Sequence, residues 1–405
     1  MQPHLYICLP VLNESENLPG LLQALNKQTY TFFTLIVCVN QPDSWWKQYN
    51  QLSICIDNLK SIKILEDDKH LQIHIIDRTS AGKGWSEKKK GVGWARKLSM
   101  DFATSIGSDL DLIVSIDADT YYPPDYFQSL VNIFHANHQI TAHSNPYYHK
   151  LTGNVAEDTS ILRYELYMRM YTINMLLINN PYAFTALGSA MVTRVGQYLK
   201  MGGISPKNSG EDFYFLQHMR KNGPVSTYNE IMVYPQARFS NRVNFGTGPA
   251  MIKGNHGDWE SYPFYHPELY NDVEDVFQAF ELLHERDFDS PVLTFLSKQL
   301  KKDQFLDPLR KNFKTKELFK NACFQLLDGL RILQYLKHKH SDITKGDRSD
   351  WMTNIKHLYA HHLIEKGDLD EMERESDPFK LEIMKKWRDI LVKVEYKLRK
   401  KSSIV

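Results

Sequence analysis

Asp111-Leu-Ile-Val-Ser-Ile-Asp-Ala-Asp-Thr-Tyr-Tyr-Pro-Pro124 is the stretch that decides the fold. Its apolar run, closing at Ile116, is short and rich in β-branched residues, which reads as a strand buried on both faces. Asp117 and Asp119 stand where that strand ends. Alternate strand residues point to opposite faces, but at a strand end the chain turns. Two carboxylates there can hold one hard divalent cation, with a diphosphate completing the shell. A pair this short, taken alone, reads as a solvated strand end opening a turn, so its surroundings must decide.

Upstream, strand-like and helix-like segments alternate. Leu5 to Leu9 is an apolar run ended by Pro10. Asn17 stands at an N-cap position with Pro19 in the first turn, and Leu18, Leu21, Leu22 and Leu25 follow at helical spacing. Thr34 to Asn40 and Leu71 to Asp77 read as further strands. A helix is expected from about Lys88, with Val92, Ala95, Phe102 and Ile106 on one face. Continuous apolar strands separated by helices mean a mostly parallel, open α/β sheet covered on both faces. Such sheets bind ligands at the carboxyl ends of their strands. Four ends carry polar residues there: Asn13-Glu14, Asn40 to Asp43, Asp77-Arg78 and Asp117 to Asp119.

Downstream, helical stretches are expected near 125–138 and 158–179, then a strand-like Ala186 to Thr193. Glu211-Asp212 opens a helix that stops at Lys221-Asn-Gly-Pro224, a helix-end signal. Residues 236–262 read as a loop-rich stretch, with Gly246, Gly248, Gly254 and Gly257. From about 267 the chain is helical and charged. The expected division is a catalytic domain over 1–262 and a mainly α-helical C-terminal region over 263–405.

The 405 residues exceed one ordinary compact domain, in keeping with that division. A net charge of +1 gives no general attraction to nucleic acid. The four cysteines are scattered without a CxxC pair, which points to a reducing compartment and no structural zinc. The N-terminus runs directly into a strand without a charged leader, and no span of about eighteen uncharged apolar residues occurs. A cytoplasmic protein is the expectation.

The motifs together resemble the family-two glycosyltransferases and their GT-A relatives, whose domain is a Rossmann-like, mostly parallel open sheet. Ile7-Cys-Leu-Pro-Val-Leu-Asn-Glu14 looks like the family's strand-one signature. Lys83-Gly84 and Lys90-Gly-Val-Gly-Trp-Ala-Arg96 are similar to its glycine- and arginine-containing segment. Ile116 to Tyr126 resembles the segment around the Asp-x-Asp motif, Leu187-Gly-Ser-Ala190 the acceptor-side glycine strand, and Gly210-Glu-Asp212 the Glu-Asp pair. Order and spacing agree over roughly residues 4–225.

The resemblance implies a metal-dependent enzyme that moves a sugar from a nucleoside diphosphate sugar to an acceptor hydroxyl. Mn²⁺ or Mg²⁺ would sit on Asp117 and Asp119. Pro10, Asn13, Glu14, Asn40, Asp77, Arg78, Lys90, Asp117 and Gly188 would line the nucleotide-sugar site. Relatives often carry Asp-Asp where this chain reads Asn40-Gln41-Pro42-Asp43, which leaves the base identity open. Asp212 is the general-base candidate, since transfer with inversion needs a carboxylate near the acceptor oxygen, and Glu211 would hold the acceptor or the loop. Both also read as ordinary helix-N-terminal acids.

Processive relatives carry Gln-x-x-Arg-Trp after the Glu-Asp helix, and this chain does not, which points to a non-processive enzyme. Arg238 and Arg242 stand in its place and would neutralise a diphosphate. His256 would supply a third metal ligand from a late loop, and imidazole favours manganese over magnesium.

The C-terminal helix, with Trp387, Ile390, Leu391, Val394 and Leu398 on one stripe amid lysines, reads either as packed on its own domain or as peripheral contact with the inner face of a membrane. Saccharide, lipid-linked and small-molecule acceptors all stay open. The alternative reading is a catalytically inactive GT-A-like protein that binds nucleotide or glycan. A nucleotidyltransferase would open with a glycine-rich basic loop, absent from Leu9 to Leu18.

Overall fold

A computed structural model describes residues 2–207, 209–239 and 246–402. In chain order the first elements are β1 (Leu5–Val11), α1 (Leu18–Asn26), β2 (Phe33–Asn40), α2 (Leu52–Asp67), β3 (Ile73–Arg78), α3 (Val92–Ile106), β4 (Leu112–Ser115) and β5 (Thr120–Tyr121). There follow α4 (Tyr126–Ala136), β6 (Ala142–Ser144), α5 (Val155–Leu177), β7 (Met191–Arg194), α6 (Val195–Lys200), α7 (Glu211–Asn222), β8 (Val225–Ser226), β9 (Tyr234–Pro235) and α8 (Thr247–Asn255). The remainder is helical: α9 (Glu268–Ala279), α10 (Pro291–Leu300), α11 (Asp307–Asn312), α12 (Lys316–Leu326), α13 (Gly329–Ile343), α14 (Asp347–Ala360), α15 (Lys366–Arg374) and α16 (Leu381–Ser402).

The chain forms two compact units. Residues 1–161 and 184–255 make the first, and residues 162–183 and 256–405 the second.

The first unit holds the expected α/β sheet. Seven strands run in the order β3-β2-β1-β4-β7-β6-β8. β1 pairs in parallel with β2 (Leu5 beside Phe33) and with β4 (Leu5 beside Leu112). All residues of β1, β2 and β4 are buried, as their continuous apolar runs require. Pro10 is tolerated inside β1 because β4 pairs only as far as Cys8, so the missing N–H faces no partner. β7 runs antiparallel to β4, with Met191 opposite Ser115. An antiparallel neighbour enters where β4 leaves, so the Gly188–Ala190 turn lies at the edge that carries Asp117.

Two local expectations are altered. Asn17 occupies the N-cap position of α1 but makes no side-chain cap; its Nδ2 donates instead to Glu14 Oε2 at 2.6 Å. The expected loop-rich stretch over 236–262 contains α8, in which Pro249 falls in the first turn, where a proline's missing N–H costs nothing.

The second unit is held by buried ion pairs as well as apolar contacts. Arg169 of α5 pairs with Glu165 at 2.6 Å and with Glu395 of α16, and Arg399 joins Glu395 at 2.5 Å. The Arg163 guanidinium grips Asp347 and lies 3.9 Å from the Phe264 ring centre. In α16 the stripe of Trp387, Leu391 and Val394 is buried. No helix among the described residues is long and apolar enough to cross a membrane. All four cysteines are buried and unpaired: Cys8, Cys38 and Cys55 in the first unit, Cys323 in the second.

Candidate active site

At the end of β1 the chain turns sharply, with Asn13 in the left-handed region (φ 57°) and its amide on Asn58 Oδ1 at 2.8 Å. That turn presents Glu14, which is only 5 % exposed. At the end of β2, Asn40 is fully engaged by the protein. Its Nδ2 donates to the Val11 carbonyl at 2.9 Å, and its Oδ1 accepts from Trp85 Nε1 at 3.1 Å. The Arg78 guanidinium lies 5.0 Å from the Trp85 ring centre. Asp77 closes a turn by accepting from the amides of Thr79 and Ser80, and it pairs with Lys83 at 2.9 Å. Burial alone would raise its pKa, but these donors together bring it down to about 2. Lys90 is paired with Glu87 beside the N-terminus of α3.

The centre of the site is Arg96, a residue of the α3 segment that motif reading does not place among the ligand-contacting groups. Its side chain is 2 % exposed. Nη2 meets Asp117 Oδ1 at 3.0 Å, Nε meets Glu211 Oε1 at 3.2 Å, and Nη1 donates to the Gly188 carbonyl at 2.8 Å and to Ser115. A Cβ at Gly188 would stand 2.4 Å from Arg96 Nη2, so a larger residue there would push the guanidinium tip out of its place. Burial disfavours the guanidinium's charge, yet Asp117, Glu211 and Asp212 outweigh it and raise its pKa. Tyr122 completes the support: its hydroxyl accepts from the Asp117 amide and donates to the Ser189 carbonyl, both at 3.0 Å.

Gly210 takes a left-handed conformation (φ 72°) before α7, a turn that suits glycine and sets Glu211 and Asp212 in the first helical turn. Asp212 Oδ1 accepts from the Phe213 amide at 2.7 Å. Burial first, and then the neighbouring Glu211 charge, push its pKa up to about 7, against the pull of Arg96. A carboxyl poised there can exchange a proton near neutral pH.

Arg238 forms a second cationic centre. β9 pairs with β5, and the Gln236 amide donates to the Asp119 carbonyl at 2.9 Å. This pairing brings Arg238 to Asp119 Oδ2 at 2.7 Å and to Glu14 Oε1 at 2.5 Å.

Glu14, Asp117, Asp119, Glu211 and Asp212 thus surround two guanidiniums, an acidic surplus among the described residues. Asp117 and Asp119 keep 33 % and 20 % side-chain exposure, so hard oxygen donors reach the open edge. Charge and donor type fit a divalent cation that takes its other ligands from water and a diphosphate. No group of three or more His, Cys, Asp or Glu among the described residues is arranged to hold a metal. His256 is exposed and begins the second unit's main segment. Arg242 lies outside the described residues.

Residues 112–253 match the family described as glycosyl transferase family group 2. The matched segment holds the Asp117–Asp119 pair, Gly188 and the Glu211–Asp212 pair. The chain is a glycosyltransferase. Among solved structures it is similar to S. aureus TarS 1-349 in complex with UDP-GlcNAc, at 13 % identity over 89 % of this chain and 92 % of that one, TM-score 0.40. It is also similar to the mannosyltransferase PcManGT from Pyrobaculum calidifontis, in complex with GDP-Man and Mn²⁺, at 11 % identity over 97 % of this chain and 85 % of that one, TM-score 0.43. Likeness at these scores says nothing of substrate or mechanism. No curated protein sequence matches significantly.

Proposed function

We propose that the enzyme transfers a glycosyl group from a nucleoside diphosphate sugar to an acceptor hydroxyl with inversion, using a divalent cation held by Asp117 and Asp119. The observation that carries this reading is the Arg96 hub, which ties Asp117 to Glu211 beside an Asp212 whose pKa is raised to about 7. Donor-side and acceptor-side groups are thereby fixed to one guanidinium.

Asp212 accepts the proton of the acceptor hydroxyl as that oxygen bonds to the anomeric carbon. The bond from that carbon to the diphosphate oxygen breaks on the opposite face, and the nucleoside diphosphate departs with the electron pair. The cation, when bound, offsets the charge that develops on the diphosphate. Glu211 holds Arg96, and Arg96 fixes the Asp117 carboxylate and the Gly188 carbonyl. On the nucleotide side, Pro10, Asn13, Glu14, Asp77 and Arg78 form the wall, while Asn40 supports Trp85 rather than reaching into solvent.

A panel of UDP- and GDP-sugars with Mn²⁺ or Mg²⁺ tests the reading by release of nucleoside diphosphate. One donor should be turned over in a cation-dependent way, and Asp119→Asn should reduce that turnover at least about a hundredfold, on the scale of one lost charge-stabilising contact. Full activity in EDTA, or in Asp119→Asn, would remove the cation from the mechanism.

A further inference from the structure

Arg238 joins two carboxylates that the proposed reaction uses for different tasks. Its Nη2 lies 2.7 Å from Asp119 Oδ2 and 2.5 Å from Glu14 Oε1, and Nη1 reaches Glu14 Oε2 at 3.3 Å. The contact is not a chance reach of a long surface side chain. The backbone that bears Arg238 is pinned to the Asp119 turn by the β5–β9 ladder and by the Gln236 amide, and the guanidinium is 27 % exposed.

We infer that Arg238 occupies the cation's place on Asp119 in the donor-free enzyme, so that a divalent cation binds well only together with a nucleoside diphosphate. This rests on the reading of Asp119 as a cation ligand. A metal ion bonded to Asp119 Oδ2 would bring a second positive centre onto an oxygen that already accepts from a guanidinium, and the two repel. A diphosphate removes the conflict. It offers Arg238 oxygen acceptors that match the fork of its N–H groups, so the guanidinium exchanges Asp119 for phosphate. Cation and diphosphate then strengthen each other's binding by one shared factor, as linkage requires.

The test is Mn²⁺ titration of the full chain, read by the loss of the free-ion paramagnetic resonance signal, without nucleotide and with UDP or GDP, after subtracting the Mn²⁺ that the same nucleotide binds in protein-free solution. The wild type should bind Mn²⁺ about tenfold more tightly with the matching diphosphate, within the usual range of coupling between sites. Arg238→Gln should bind Mn²⁺ alone more tightly than the wild type, and should lose most of the gain from nucleotide. Arg238→Lys keeps the charge without the fork and should fall between them. If Arg238→Gln fails to fold, judged by circular dichroism, the lysine variant carries the comparison, and unchanged coupling there overturns the inference. Equal Mn²⁺ affinity of the wild type with and without diphosphate also overturns it, while leaving Asp119 a cation ligand. No Mn²⁺ binding under either condition sinks the cation reading and the inference together.

Discussion

At the residue scale, the chemistry turns on how one guanidinium divides its attention among three acids. Arg96 neutralises part of the charge around Asp212, but burial and Glu211 still win, and the carboxyl titrates near pH 7. The sign of the pH dependence follows. A base must be ionised, so kcat/KM should rise with pH through about 7 and level off above it. Asp212→Asn should abolish transfer while nucleotide binding persists. Because the folded-state pKa lies above the unfolded value, Asp212 favours folding at low pH, and that contribution is lost as pH rises through about 7. Asp212→Asn should therefore gain thermal stability relative to the wild type at pH 8 but not at pH 4. Activity in that variant, or a flat acid limb in the wild type, would refute the base assignment. Asp117, Asp119 and Asp212 are legible as a candidate site because each sits in a short local motif. Arg96 was visible in its segment, but its role was not, since Asp117 and Glu211 are 21 and 115 residues away and only the sheet brings them together. Asn40 shows the converse: a strand-end amide looks free in sequence, yet Trp85, 45 residues on, takes its oxygen.

At the scale of elements, α3 links the sheet to the candidate site. It packs on β1 and β2 and delivers Arg96, and its buried face is Gly93, Ala95, Arg96, Ser99, Met100 and Ala103. Gly93 allows the helix to approach the backbone at Lys207, where a Cβ would stand 2.2 Å from the carbonyl oxygen and 2.8 Å from the amide nitrogen. Backbone cannot rotate aside as a side chain can. Gly93→Ala should therefore cost about 1–3 kcal/mol in denaturant unfolding, the range for an overpacked site, and should lower activity by shifting Arg96. An unchanged midpoint would show that the segment at Lys207 yields freely. The alternation of strands and helices was legible because parallel strands buried on both faces leave unbroken apolar runs. α8 was not, because a proline in its first turn and glycines at both of its ends mask the helix.

At the scale of the whole molecule, each unit is organised by ion pairs taken out of water. In the second, Glu395 lies between Arg169 and Arg399. Burial would raise its pKa, but the two arginines outweigh that and lower it. Removing its charge leaves two buried guanidiniums short of a partner, so Glu395→Gln should destabilise by about 3–5 kcal/mol near neutral pH. A depressed carboxyl contributes its stability above the unfolded pKa and loses it as pH falls through the folded one. The difference between variant and wild type should accordingly shrink as pH falls below the ordinary carboxylate range, and a pH-independent difference in calorimetry would point to packing alone. This network had no local signature, because Arg169 and Glu395 are 226 residues apart.

The buried cysteines give the molecule a built-in clock. Burial pushes the Cys8, Cys38 and Cys323 thiols up to about 12, so at neutral pH they are protonated, shielded and slow to alkylate. Each becomes reactive only when its surroundings open. Brief pulses of an alkylating reagent, read by mass spectrometry, would time the breathing of the sheet through Cys8 and Cys38 and of the helical unit through Cys323. One unlabelled chain thus reports two separate opening rates, in the native state and without any engineered probe.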